Sequence, residues 1–576
     1  MIISTMKARW FSLAALLLFP GWLFAQGRVV ERTYVSTDKD VYVAGDPVWY
    51  SAFCLDAEKG TFSPVSSIAY VELHASDALV GTSKVALSAG RGAGRLQLPG
   101  NLPTGNYRLV VYTTQNKAEA DYDYTGIASK TISVFNVFSN ERVKDGVEVV
   151  DAAEYASLVA ERSSVKPRMT GDVKPGTDGI EVSWDGNSLV LRNPGPEAIT
   201  MSLSVWHDDG FLTNANPTIA DFVRGCRQVG PRRLDNAVTP EYEGEIIRGH
   251  VAGADPEAIA SLAGRYAFIS TPSDKSDVYA SPIDPAGRVR FFTGNIYGNK
   301  EYVCEIEGVD PAFTGFIELE SPFVGAKVAA AEPLKMSASL REPLRRRSVA
   351  MQVEQRFTGD TLLDLLPVRS NGLFGTEEVV YLLDDYTRFP TMEEVFIEFV
   401  KEIRARRWGD RKRNIQVRLQ DRTDNMFSQD TTLMMLDGVP VFDQQKIMDY
   451  DPLLVEAIHI YPNVTFIGNR SFEGIVNFVT YKRNLPAFQF GNSVRVVDYQ
   501  GASWPMAFTG ESLRAEEGYP DYRQTIYWHP LLVLAPGQTV SIPCKLPDYR
   551  GRFRVVAEGL TTSGTPLRTA TSFTTE

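Results

Sequence analysis

The chain has 576 residues, 44% of them hydrophobic and 23% charged, a balance that excludes intrinsic disorder and allows several separately packed cores. At roughly 100–200 residues per domain it is expected to hold about three to five domains. A net charge of −12 removes nucleic acid from the expected partners, because phosphate binding needs a basic face.

Lys7 and Arg9 precede the apolar run Trp10 to Phe24, and the small residue Ala25 precedes Gln26. A charged start, a short apolar core and a small residue at its end predict a secretory signal peptide over residues 1–25, cut after Ala25. No Cys follows that point, so no lipid anchor is expected. The expected location is the periplasm or the outer membrane, the cell surface included. No later stretch approaches ~18 uninterrupted apolar residues, so no transmembrane helix is expected in the mature chain.

Residues 26–137 read as short strands separated by turns. Val41 to Val43 and Val48 to Tyr50 flank the turn signal Ala44-Gly-Asp-Pro47, Ile68 to Leu73 alternates, and Tyr107 to Tyr112 follows the turn Pro103 to Asn106. The runs "YVSTDKDVYVAGDPVWYSAFCLDA", "AYVELH" and "LPTGNYRLVVYT" resemble a macroglobulin-type β-sandwich of the second class, with the D-K-x-x-Y-x-x-G-D-x-V pattern from Asp38 to Val48 carrying most of the likeness. Residues 138–238 are expected to form a second sandwich, from Ile180 to Trp184, Ser188 to Leu191 and Ile199 to Val205. Residues 239–325, with "EYEGEIIRGHVAG" and the turn Asp284 to Gly287, resemble the carboxypeptidase regulatory-like fold, which implies a spacer without peptidase chemistry. Residues 326–350, with Pro333, Pro343 and the run Arg345-Arg-Arg347, read as a linker.

Residues 351–490 change character. Thr391 and Glu394 form a capping-box pattern. Met392, Val395, Phe396, Phe399, Val400 and Ile403 then share one face of what reads as the chain's one convincing helix. Leu436-Asp-Gly-Val-Pro-Val441, Asp451-Pro452, Ile458 to Ile460, Gly468 and Gly474 to Val479 resemble the plug domain of TonB-dependent outer-membrane receptors. The residues after 490 are too few for a receptor barrel, whose spanning strands each need about 9–11 residues. Energised transport by this chain alone is therefore not expected. Residues 491–576 look like a further macroglobulin-type sandwich, marked by "TIYWHP" and the turn Pro536-Gly537. The expected fold class is mainly β, with multidomain β-sandwiches and one α/β plug-like module.

No catalytic, cofactor or metal residues are expected. The four cysteines, Cys54, Cys226, Cys304 and Cys544, form no CxxC pair, and isolated buried thiols are the expectation, a disulfide staying open in an exported protein. Gly225-Cys-Arg-Gln228 places Gln only two positions after Cys, which breaks the thioester spacing of protease-trapping macroglobulins. The five histidines lie in separate segments, and His207-Asp-Asp209 reads as a polar turn. Gly90 to Gly94 reads as a hairpin loop, and the pairs Asp208-Asp209 and Asp384-Asp385 lack a cleft motif that would make them an acid–base couple. The cations between Arg404 and Arg413 are expected to offset the C-terminal dipole of the preceding helix, with contact to anionic lipopolysaccharide or an acidic partner as the alternative.

The expected function is a non-catalytic accessory or scaffolding protein that binds another envelope protein, an outer-membrane barrel among the candidates. The partner-binding residues are expected to be Asp437, Gly438, Val439, Pro440, Gly468 and Asn469, at the tips of the plug-like hairpins. The alternatives are a subunit that gates or loads a separate barrel, and a macroglobulin-type protease inhibitor lacking the thioester.

Overall fold

A computed structural model describes residues 30–575 apart from 76–77, 118–128, 165–178, 230–238, 274–276, 326–327, 358–362, 368–378, 409–411, 421–425, 430–431 and 509–519. The expected signal peptide lies outside the described residues. The chain is 47% strand and 14% helix, arranged as several small sheets, which makes it a mainly β protein of several sandwiches.

The first sandwich pairs a three-stranded sheet (Glu31–Thr37, Pro47–Asp56, Arg91–Gln97) with a five-stranded one that includes Ile68–Ala75 and Gly105–Tyr112. Val48, Ala52, Val71, Leu73, Leu109, Val111 and Ile132 fill the space between them. The Asp38-to-Val48 pattern is a turn with a physical cause at each fixed position. Asp38 is buried and its Oδ1 accepts from the Tyr42 hydroxyl (2.8 Å) and the Trp49 N–H (3.2 Å). Asp46 accepts from the Val43 N–H (3.1 Å), and Gly45 supplies the φ of +96° that closes the loop. Gly90 to Gly94 lies at the edge of the same sandwich, where Gly90 has a φ of +74° and its added Cβ would meet the Cys54 carbonyl oxygen at 2.5 Å.

Strand pairing corrects the expected domain order. Residues 138–238 and 491–576 do not make separate sandwiches: Ile199–His207 lies between Thr525–Leu534 and Gly551–Thr561 in one sheet, and Ser188–Arg192 pairs with Thr539–Pro543 in the facing one. One composite sandwich therefore closes only when segments more than 300 residues apart in sequence meet. Leu189, Leu191, Met201, Leu203, Val205, Ile526, Phe553 and Val555 form its core.

The same nesting recurs inside it. The middle sandwich is built from Ile246–Ala252, Tyr266–Ser270, Val278–Pro282, Arg288–Phe292, Asn299–Ile306 and Phe316–Leu319, and its last strand, Arg495–Gln500, arrives after the α/β module. The module is thus an insertion in the middle sandwich, which is itself an insertion in the composite one. Each inserted unit is held at two chain connections.

The module has a five-stranded mixed sheet in the order Val379–Leu382, Val455–Ile467, Arg470–Thr480, Leu433–Leu436, Val439–Pro440. Thr391 caps the helix Met392–Glu398 by accepting from the Glu394 N–H (3.3 Å), as its sequence predicts. The helix is shorter than expected. It ends at Phe399, and Ile403 begins a strand that pairs with Lys412–Val417. The basic stretch is a β-hairpin, so its cations do not cap a helix; Arg404 instead lies over the Phe427 ring (3.9 Å).

The expected linker 326–350 is also ordered structure. Leu334–Met336 pairs in parallel with Val147–Val149, and Arg341–Phe357 is a helix. This is not the only helix beyond the expected one: Ala152–Ser164 and Ile219–Val229 also form, and the latter packs Phe222 and Cys226 against Tyr34, Phe53 and Leu560.

Candidate functional site

The Asp437-Gly438 turn forms as the sequence implies but does not face solvent. Asp437 and Gly438 have φ of +48° and +80°, the two positive values of a two-residue hairpin turn. The Asp437 carboxylate accepts from the Thr480 N–H (2.6 Å), the Thr480 hydroxyl (2.7 Å) and the Leu485 N–H (2.8 Å). Asn477 Oδ1 accepts from the Gly438 N–H (2.9 Å), and the Asp437 carbonyl accepts from Ser273 N–H (2.8 Å) in the middle sandwich. Asp437, Gly438, Val439 and Pro440 are all buried. Expected as partner-binding residues, they instead lie inside the fold, where the polar groups of the turn are engaged by Thr480, Leu485, Asn477 and Ser273.

Gly468 and Asn469 are exposed, at the turn between the two longest strands of the module. They too lie against the middle sandwich, where Tyr266 donates its hydroxyl to the Asn469 carbonyl (3.3 Å) and the adjacent Arg470 forms an ion pair with Glu307 (2.6 Å). Phe268 and Val278 of the sandwich pack on Leu433, Met435, Phe472 and Ile475 of the module. The six expected residues therefore mark the seam between the module and its host.

A groove of about 550 Å³ runs along that seam, lined by Glu305, Phe442, Lys446, Phe488 and Phe490 among others. Burial pushes the Glu305 carboxyl up to about 8, and Lys446 pulls it back only in part. The sign of the resulting pH dependence follows from linkage. A carboxyl whose folded pKa exceeds its ordinary 4.5 stabilises the fold when protonated. That stabilisation is full below the ordinary value and is lost as pH rises to about 8. Glu354 is pushed up to about 8 for the same reason. The thermal midpoint is expected to fall between pH 5 and pH 9, and Glu305→Gln to shrink that fall; an equal fall in the variant would refute the assignment to Glu305.

On the far side of the module sheet, Val379–Leu382 is an edge strand among the described residues. Val379 and Tyr381 turn inward to the core, while Val380 and Leu382 are 41% and 49% exposed. Ile397, at 72% exposure, and Leu453 are large apolar side chains exposed on the same module, and Tyr386 stacks on Phe399 with ring centroids 4.2 Å apart. Sequence periodicity could not show this patch, because it depends on which strand ends the sheet.

His207-Asp-Asp209 was expected as a polar turn; His207 instead ends the strand Ile199–His207, Asp208 and Asp209 follow it as irregular chain, and Arg347 grips both Asp209 oxygens (2.5 and 2.7 Å). Asp384 accepts from Arg388 (3.1 Å) and the Tyr481 hydroxyl (2.7 Å) in a surface network. All four cysteines are buried free thiols, and burial pushes Cys226 up to about 12, away from the thiolate. Among the described residues, no group of His, Cys, Asp and Glu is placed to hold a metal ion, and no helix is long and apolar enough to cross a membrane.

The fold defines a multidomain, mainly β protein with nested insertions. No protein-family model and no curated protein matches the chain. Among solved structures it is similar to Salmonella α2-macroglobulin reacted with methylamine, at 8% identity and a TM-score of 0.22 over 95% of this chain and 39% of that one. The native E. coli α2-macroglobulin aligns at 9% identity and a TM-score of 0.15, over 95% of this chain and 29% of that one. Dimeric latent PorU from Porphyromonas gingivalis aligns at 8% and 0.14, over 95% and 34%. The chain spans well under half the length of each, and similarity this low carries neither family membership nor function.

Proposed function

We propose that the chain is a non-catalytic accessory protein of the cell envelope that binds another outer-membrane or periplasmic protein through the edge of its α/β module. The exposed edge strand Val379–Leu382 supports this reading best. An edge strand offers unpaired backbone groups to an incoming strand, and Val380 and Leu382 add apolar contacts at alternate positions. The sandwiches act as a frame: two chain connections and an apolar seam hold the module in one orientation. Export by the N-terminal segment, and kinship of the sandwiches and module to macroglobulin, regulatory-like and receptor-plug domains, belong to the same proposal.

The test is a photo-crosslinking residue at Leu382 in intact cells, with the same residue at Asn469 as comparison. One envelope protein captured from Leu382 at a fixed ratio supports the reading, and an outer-membrane barrel as the captured protein would extend it to gating or loading. No capture, or equal capture at Asn469, would overturn it.

A further inference from the structure

A second cleft, of about 680 Å³, lies between the helix Arg341–Phe357 and the composite sandwich. Its walls bring together four segments of the sequence: His207 to Asp209, Arg345 to Arg347, Tyr522 with Gln524, and Arg550 to Arg552. Five arginines face three carboxylates there, Asp208, Asp209 and Glu342, in a chain whose net charge is −12.

Two of the carboxylates are already engaged. Asp209 is held by Arg347, whose third contact is the Val41 carbonyl (2.7 Å) and whose guanidinium lies over the Phe211 ring (4.5 Å). Arg347 is therefore a buried clamp that fixes the helix to both neighbouring sandwiches. Asp208 faces Arg552 at 3.5 Å. Arg345, Arg346 and Arg550 are exposed, and among the described residues no carboxylate pairs with them.

This arrangement is unfavourable in the free protein. Arg345 and Arg346 are consecutive cations on the helix that walls the cleft. Arg550 adds like charge across the cleft, and an anion held between these guanidinium groups would lower their mutual repulsion. Guanidinium groups present paired N–H donors that match phosphate oxygens, and Tyr522 adds a phenol to the same wall.

We propose that this cleft binds a phosphate-bearing anion, with Arg345, Arg346 and Arg550 as the recognition residues and Arg347 as the positioning residue that keeps the cleft open. The chemistry is shared by a free phosphate compound and by a phospholipid headgroup. It involves neither the module nor its edge strand.

The test uses the full mature chain with pyrophosphate, and separately with phosphatidylglycerol vesicles against phosphatidylcholine vesicles. Binding of pyrophosphate without vesicle capture identifies a free phosphate as the source, and selective capture by phosphatidylglycerol identifies a headgroup. In either case, Arg345→Gln/Arg346→Gln/Arg550→Gln is expected to weaken binding by about tenfold or more. The same variant should melt at the wild-type temperature or above it without ligand, since it removes repulsion. Binding of neither probe, or undiminished binding by the triple variant, would overturn the proposal.

Discussion

Replacing Lys84 with Met is expected to cost the fold about 3–5 kcal/mol, the penalty for breaking one side of a buried ion pair. Lys84 is 1% exposed, and its Nζ donates to both Glu245 oxygens (2.7 and 2.9 Å) while lying 4.1 Å above the Tyr499 ring. Burial lowers the lysine pKa, and Glu245 partly restores it. Without the ammonium, the Glu245 carboxylate keeps only the Tyr499 hydroxyl (2.6 Å) in a site sealed from water. The cost falls on the seam between two sandwiches. Lys84 belongs to the first, Glu245 and Tyr499 to the middle one, and Tyr70 donating to Glu241 (2.9 Å) and Thr82 to Gln500 (2.8 Å) cross the same boundary. Urea unfolding of the single variant should show the loss, and Lys84→Met/Glu245→Leu should recover most of it because no charge is then stranded. A single variant as stable as the wild type would show that the seam does not depend on this pair.

The strands of the first sandwich were legible because their signals are local. Val41 to Val43, Val48 to Tyr50, Ile68 to Leu73 and Tyr107 to Tyr112 all lie in strands, each bounded by a turn readable from Gly, Pro or Asn. The composite sandwich was not legible. Alternation in Ile199–His207 predicts a strand but says nothing about its partner, and that partner lies at Thr525–Leu534. The helix Arg341–Phe357 was hidden by Pro343 and the arginine run, which read as linker, although Pro is compatible with a first helical turn. The helix after Thr391 was read too long for the opposite reason. Phe399, Val400 and Ile403 continue the helical spacing, but Phe399 leaves helical geometry with φ −141° and the chain turns into a strand. The arginine cleft could not be read at all, since its residues come from four segments that only the folded chain brings together.

Asp437→Ala is expected to cost about 3 kcal/mol or more, with each buried N–H left without an acceptor contributing about 1–3 kcal/mol. Two such N–H groups, of Thr480 and Leu485, depend on this carboxylate, and the Thr480 hydroxyl is a third donor. Alanine at φ +48° adds roughly 1–2 kcal/mol that Asp tolerates better. Asp437→Asn keeps the backbone tolerance and one acceptor oxygen, so it should fall between the two in thermal unfolding. The same residue distinguishes two readings of the turn. If its carboxylate were a docking group, the Ala variant would fold with native stability and lose only partner capture. If it is structural, stability falls, and amide exchange rises at Thr480, Leu485 and Ser273, whose N–H donates to the Asp437 carbonyl. Burial favours the second outcome, and that outcome leaves the edge strand Val379–Leu382, not the Asp-Gly turn, as the face the module can offer a partner.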